Sequence, residues 1–147
     1  MKLFFLILLF CSVTKAQEAT TQYNNESLQK INSAYLQKVK PIFKRACFDC
    51  HSDQVVYPWY YKIPGIKQWM DSHIEEGREK LEMSKDYPFK GGKKGLKHDL
   101  EETWESVDEG EMPPLFYRIM SKERRLSDED KAIIKGWVDE SLKELGN

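Results

Sequence analysis

Residues 47–51 read Cys47-Phe48-Asp49-Cys50-His51, a C-x-x-C-H motif, and the reading of this stretch decides the fold. On a helical turn residues i and i+3 project to the same side, so Cys47 and Cys50 can meet one flat edge. His51 follows at once and can turn its imidazole beneath the same plane. Two thiols for two vinyl groups, and one imidazole for iron, make up the chemistry of c-type haem attachment. A C-x-x-C pair also serves thiol redox chemistry or half of a zinc site. A structural zinc site needs further ligands, and the one other cysteine, Cys11, lies at the end of the apolar N-terminal run. No alternation of strands and helices suggests a thiol redox fold.

The 147 residues fit one domain. Met1-Lys2 precedes an apolar run from Leu3 to Phe10, and Thr14 and Ala16 put small residues at −3 and −1 of a cleavage site before Gln17. Residues 1–16 therefore read as a signal peptide, residues 17–25 as a flexible tether, and residues 26–147 as the domain. The apolar run is shorter than the about 20 residues a membrane helix needs, so no transmembrane segment is expected after cleavage. The expected location is the periplasm. Cys11 follows Leu9-Phe10 rather than small residues, which argues against a lipid anchor there. Once the leader is removed, Cys47 and Cys50 are the only cysteines left. Loss of Lys2 and Lys15 takes the net charge from −1 to −3, and no clustered basic excess marks a nucleic-acid partner.

Apolar residues recur at helical spacing along the rest. Leu28, Ile31, Tyr35, Val39 and Ile42/Phe43 form one face, with Pro41 predicting a kink or a new helical start. Pro64 is predicted to open a second helix, bearing Ile66, Trp69/Met70, His73/Ile74, Gly77 and Leu81. Gly77 costs that helix about 1 kcal/mol relative to alanine, which a close approach of another group would offset. Leu96, Leu100, Thr103/Trp104 and Val107 mark a third helix capped by Gly110. Ser127 caps a last helix with Asp128, Glu129 and Asp130 in its first turn. The loop Tyr57-Pro58-Trp59-Tyr60-Tyr61 is rich enough in rings to pack on either a haem or the core. The expected fold is all-α, a small helical domain wrapped around one covalently bound haem.

A haem held by proximal His51 takes a second protein ligand or leaves its sixth position open. Met112 in Glu111-Met112-Pro113-Pro114 is the favoured ligand, because two prolines stiffen the loop that would hold its weak thioether donor. Met70, Met83 and Met120 compete, but their helical positions suit core packing better. His73 is the main rival and would give a bis-histidine iron. Should the distal side stay open, His73 and Arg78 become candidate distal groups.

Several segments resemble the bacterial haem-binding domain family, a group of single-haem c-type cytochrome-like proteins. These are Ala46-Cys47-Phe48-Asp49-Cys50-His51-Ser52, Tyr57-Pro58-Trp59-Tyr60, Glu76-Gly77-Arg78-Glu79-Lys80-Leu81, Gly110-Glu111-Met112-Pro113-Pro114 and Arg125-Leu126-Ser127-Asp128. The resemblance covers residues 39–138. It implies an all-α fold, covalent attachment at Cys47 and Cys50, His51 as axial ligand, and Met112 as the matching methionine of the M-P-P motif. The lysine- and glycine-rich insertion Lys90 to Gly95 departs from the pattern, as does Tyr57. The function expected is one-electron transfer through Fe(III)/Fe(II) exchange of a single haem c, with a redox protein as partner and no catalysis. The alternative is a haem enzyme or small-ligand sensor with an open or displaceable distal position.

Overall fold

The apolar stripes fold as helices that wrap one aromatic-rich core. The computed structural model of the chain describes residues 25–89 and 95–146. The leader with Cys11, most of the expected tether, and Lys90, Lys93 and Lys94 lie outside the described residues. Among the described residues every regular element is helical. In chain order these are α1 (Asn25–Ala34), α2 (Lys40–Ala46), α3 (Phe48–His51), α4 (Ile66–Lys80), α5 (Leu96–Asp108), α6 (Leu115–Met120) and α7 (Asp128–Gly146).

Between α1 and α2, Tyr35–Val39 forms a widened π-helical turn in which the Lys40 amide donates to the Tyr35 carbonyl. Pro41 has no N–H to continue an ordinary i→i−4 ladder, and the wider turn lets α2 restart with that proline in its first turn. The stripe therefore stays on one face, and Ile31, Tyr35, Val39, Ile42 and Phe43 are all buried. Tyr35 lies at the centre, its ring 5.6–6.1 Å from those of Phe43, Tyr87, Phe89 and Trp137. Leu96, Leu100 and Val107 of α5 and Ile134, Trp137 and Val138 of α7 close the core.

Helix starts and stops follow local chemistry, with one correction. The second helix begins at Ile66 rather than Pro64, because Pro64-Gly65 makes a turn in which the Ile66 and Lys67 amides both donate to the Ile63 carbonyl. Gly65 takes φ +89° there, and its amide donates to Gln68 Oε1 at 2.7 Å. Gly110, at φ +74°, ends α5 as expected. Ser127 and Asp130 cap α7 reciprocally, with Ser127 N donating to Asp130 Oδ2 at 2.8 Å and Asp130 N donating to Ser127 Oγ at 3.1 Å.

That capping carboxylate also receives Arg45 Nη2 at 2.6 Å. Arg45 Nη1 donates to the Glu123 and Arg125 carbonyls at 2.9 and 2.7 Å, and Arg124 Nη1 returns a bond to the Arg45 carbonyl at 2.7 Å. The helix that leads into the C-x-x-C-H turn is thereby latched to the segment before α7. Burial works against the Asp130 charge, but the Ser127 amide, Arg45 and the Ser127 hydroxyl together hold its carboxyl below the usual carboxylate range. Arg45→Ala should cost about 1–3 kcal/mol in denaturant unfolding, because it strands two carbonyls and a carboxylate. Lys40→Ala should cost about 0–1 kcal/mol, since it breaks a single pair whose partner Asp86 is exposed. Equal costs for the two would remove the latch from the account.

Candidate functional site

Cys47, Cys50 and His51 are brought together by one tight turn. The Cys47 carbonyl accepts from Cys50 N at 3.1 Å and from His51 N at 3.0 Å, which stacks the second thiol one turn beyond the first. Ser52 ends the turn, its Oγ donating to the Phe48 carbonyl at 2.8 Å. Arg78 of α4 donates from Nε at 2.9 Å, and from Nη2, to the Ser52 carbonyl. Arg78 is thus a clamp on the motif's end and does not line the cavity described below.

The imidazole of His51 is oriented by backbone. Its Nδ1 lies 3.0 Å from the Leu81 carbonyl oxygen, which can only accept. Nδ1 therefore carries the proton, and Nε2 keeps the lone pair that binds a metal. The ring rests against Gly77 on α4: a Cβ built there would lie 3.3 Å from His51 Cε1 and 3.2 Å from the Cys50 carbonyl oxygen. That contact is the close approach that the glycine's helix cost required. Burial lowers the His51 pKa from its ordinary value, opposed in part by the backbone bonds to Leu81 and Gly77, so the ring is neutral at pH 7.

Cys47, Cys50 and His51 line a hollow together with Gly77, Met112 and Tyr117. A second hollow shares Cys47, His51 and Met112 and adds Met83 and Val107. Met112 comes from a different segment, the loop between α5 and α6. Its amide donates to the Ser106 carbonyl at 2.9 Å, and its peptide bond to the buried Pro113 is cis. His73 also lines the first cavity, with Nδ1 2.9 Å from the Trp69 carbonyl oxygen and its ring 4.3 Å from that of Trp69. It lies one turn before Gly77, on the same helix that carries the His51 ring.

The other methionines separate. Met70 is buried in the fold, Met120 is exposed, and Met83 lies after α4 rather than on a helix. The Met83 amide donates to the His51 carbonyl at 2.6 Å, so its backbone is tied to the His51 side. None of the aromatic loop lines the first cavity. Tyr60 is buried instead, with its hydroxyl 2.8 Å from Ser121 Oγ and its ring 6.2 Å from Phe116.

Three residues that sequence reasoning passed over support the motif. Asp49, an apparent spacer, is buried, accepts from the Tyr117 hydroxyl and from the Val56 amide, and pairs with Arg124 at 3.1 Å. Burial first, then the bond to Asp49, push the Tyr117 phenol well above its ordinary pKa and keep it a donor. Tyr117 thereby joins the cavity wall to the C-x-x-C-H turn. No spacing rule distinguishes such a spacer from any surface aspartate, and α6, which carries Tyr117, has too few inward residues to register as a periodic stripe.

The donor set is a neutral imidazole with a free Nε2, a thioether and two thiols, arranged about an apolar hollow that Gly77 keeps open. Burial above all pushes the Cys47 thiol up to about 12 and the Cys50 thiol up to about 11. Both stay protonated at neutral pH, which suits addition to a vinyl group guided from outside better than thiol–disulfide exchange driven by a thiolate. Among the described residues no group of three or more His, Cys, Asp or Glu is placed to hold a metal ion. The residues therefore fit an iron porphyrin and do not fit a zinc centre.

Comparison with known proteins agrees with this chemistry. The chain is 29% identical over 96 residues to "Cytochrome c peroxidase Ccp" of Escherichia coli (strain K12). The match covers 65% of this chain and 21% of that protein, so the chain corresponds to about a fifth of the relative's length. No solved structure matches the chain. The model of the haem-binding domain matches residues 3–140, nearly the whole sequence, and the chain belongs to that haem-binding domain family.

Proposed function

We propose that the protein is an exported, periplasmic one-electron carrier. One haem c is bound covalently through Cys47 and Cys50, with His51 and Met112 as the iron's axial ligands. The observation that carries this reading is that Cys47, His51 and Met112 border both hollows, with His51 contributed by α3 and Met112 by the loop between α5 and α6. Each thiol adds across a vinyl C=C, forming a C–S bond while its hydrogen goes to the neighbouring carbon, and no oxidant is consumed. When bound, the haem supplies reversible exchange between Fe(III) and Fe(II).

The chain's own residues hold that chemistry in place. Leu81 fixes the His51 tautomer, Gly77 gives the ring its seat, and the Pro113 loop presents a soft sulfur that favours Fe(II). Met112 is favoured over His73 because it lines both hollows beside His51, whereas His73 lines only the first. Export rests on the apolar leader and on attachment chemistry that bacteria perform outside the cytoplasm. Among the described residues no helix is long and apolar enough to cross a membrane.

The relative named as a peroxidase favours a second reading, a haem enzyme whose distal position opens. Optical spectra of holoprotein made with cytochrome c maturation machinery separate the two. A c-type reduced spectrum with a weak long-wavelength sulfur-to-iron band in the oxidised form, unchanged by cyanide or peroxide, supports the carrier. Prompt spectral change with peroxide, and turnover of a reducing dye, supports the enzyme.

Two variants probe the site from different segments. Met112→Ala should keep covalent haem, lose the sulfur-to-iron band and lower the reduction potential by a measurable fraction of the roughly 0.8 V over which axial ligands act. An unchanged band and potential would reject Met112. Gly77→Ala should disturb the His51 ligand field and reduce stability despite gaining about 1 kcal/mol of helix propensity. Unperturbed spectra with a gain of about that size would mean that the imidazole does not need the glycine.

A further inference from the structure

Helix α6 presents its apolar face outward. Leu115, Phe116, Ile119 and Met120 are all exposed, Leu115 by 64% and Ile119 by 54%, while Tyr117 alone is turned in as a buried apolar anchor. Nearby, Trp59 is 74% exposed, and its ring lies 5.7 Å from that of buried Tyr60, which packs 6.2 Å from Phe116. Isolated apolar side chains on a surface need no explanation, but a contiguous group of this size marks a contact site. Its phenylalanine and methionine, and the neighbouring tryptophan, are residue types enriched at protein interfaces.

Charge indicates what covers it. A groove beside α6 is lined by Leu115 and Ile119 together with Arg118, Arg125 and Lys131. Among the described residues no acidic side chain lines it. Arg118 gives Nη2 to the Gly110 carbonyl, but its Nε is buried and without an acceptor. The whole chain carries a net charge of −1, so three cations about one apolar groove are a local reversal of the protein's sign. The groove is also continuous with the haem site: Met112 and Pro113 line both.

We infer that this face is the docking surface for an acidic electron-transfer protein, one whose contact patch has an apolar centre ringed by carboxylates. The inference deepens the electron-carrier reading and rests on it for what passes across the contact. The apolar face of α6 supplies adhesion, Arg118, Arg125 and Lys131 supply register and steering, and the shared Met112-Pro113 wall brings the partner beside the cofactor's distal side. A lipid surface is less well matched, because α6 is six residues long and its cations line a groove that a protruding carboxylate enters.

The probe is plant-type [2Fe–2S] ferredoxin, a small acidic one-electron protein, used with the ferric holoprotein. Calorimetric titration with oxidised ferredoxin reads docking with no electron moving, and stopped-flow mixing with reduced ferredoxin reads transfer. Saturable binding is expected, weakened by added salt and weakened about tenfold or more in an Arg125→Glu/Lys131→Glu variant. A separate Leu115→Ser/Ile119→Ser variant should weaken binding similarly while retaining the wild-type haem spectrum and its rate of reduction by neutral hydroquinone. Absent binding, or binding equal in all three proteins, overturns the proposal. So does co-sedimentation with phosphatidylglycerol vesicles, or a dimer in sedimentation velocity, that the Leu115→Ser/Ile119→Ser variant abolishes. Such a result gives the face to lipid or to a second copy of the chain. Holoprotein that binds ferredoxin as expected but accepts no electron from it or from hydroquinone leaves the docking surface standing and removes the electron-carrier reading.

Discussion

The seating of one imidazole ring governs the design of the site. His51 is held between a backbone carbonyl, Leu81 at 3.0 Å from Nδ1, and a helix face from which the Cβ has been removed at Gly77. The carbonyl selects the tautomer, and the missing Cβ lets the ring lie against α4. A ligand nitrogen must point in one direction without itself being strained, and two partners without rotatable side chains achieve that more firmly than side-chain donors would. The rest of the motif is braced in the same manner, with Arg78 holding the Ser52 carbonyl and Ser52 holding that of Phe48. The short α3 is therefore stabilised by tertiary hydrogen bonds, since a single turn has no helical stability of its own.

A second set of contacts ties the segment that carries Met112 to this turn. Asp49 reaches away from the cysteines to Tyr117 and Arg124, and Arg45 reaches the carbonyls of Glu123 and Arg125 and the capping Asp130. These bonds link the motif to α6, and hence to the Met112-Pro113-Pro114 loop that leads into it. Buried Asp49 would be costly alone, and its partners make it a link instead. The arrangement ties the segment that carries Met112 to the turn that carries His51 through charged bonds. Stability and ligand geometry are consequently coupled.

Much of this was legible in the sequence because it depends on period and on motif. The stripe Ile31, Tyr35, Val39, Ile42/Phe43 survived Pro41, since a widened turn keeps the face in register. Gly77 was legible as a residue needing a neighbour, though the neighbour, the His51 ring, was a matter of tertiary packing. The caps at Gly110 and Ser127 followed from local hydrogen-bond chemistry. What sequence could not give was either backbone or reversed polarity. The Leu81 carbonyl has no residue signature. Asp49 is indistinguishable from a spacer, and α6 escapes a periodicity search because its six residues make fewer than two turns. The aromatic loop offered two packing partners of similar character, and Tyr60 packs by α6 rather than lining the first cavity. Pro64 misled by two residues because Gly65 takes the left-handed conformation that turns the chain first.

The account's central claim is that this fold exists to hold one haem on Cys47 and Cys50, with His51 beneath it. The most direct test is the intact mass, under denaturing conditions, of protein exported from a host with working cytochrome c maturation. A mass equal to the processed chain plus one haem, reverting to the bare chain in a Cys47→Ala/Cys50→Ala variant, is the result predicted. The bare chain mass from the native sequence, alongside a control cytochrome that matures normally in the same cells, would contradict it.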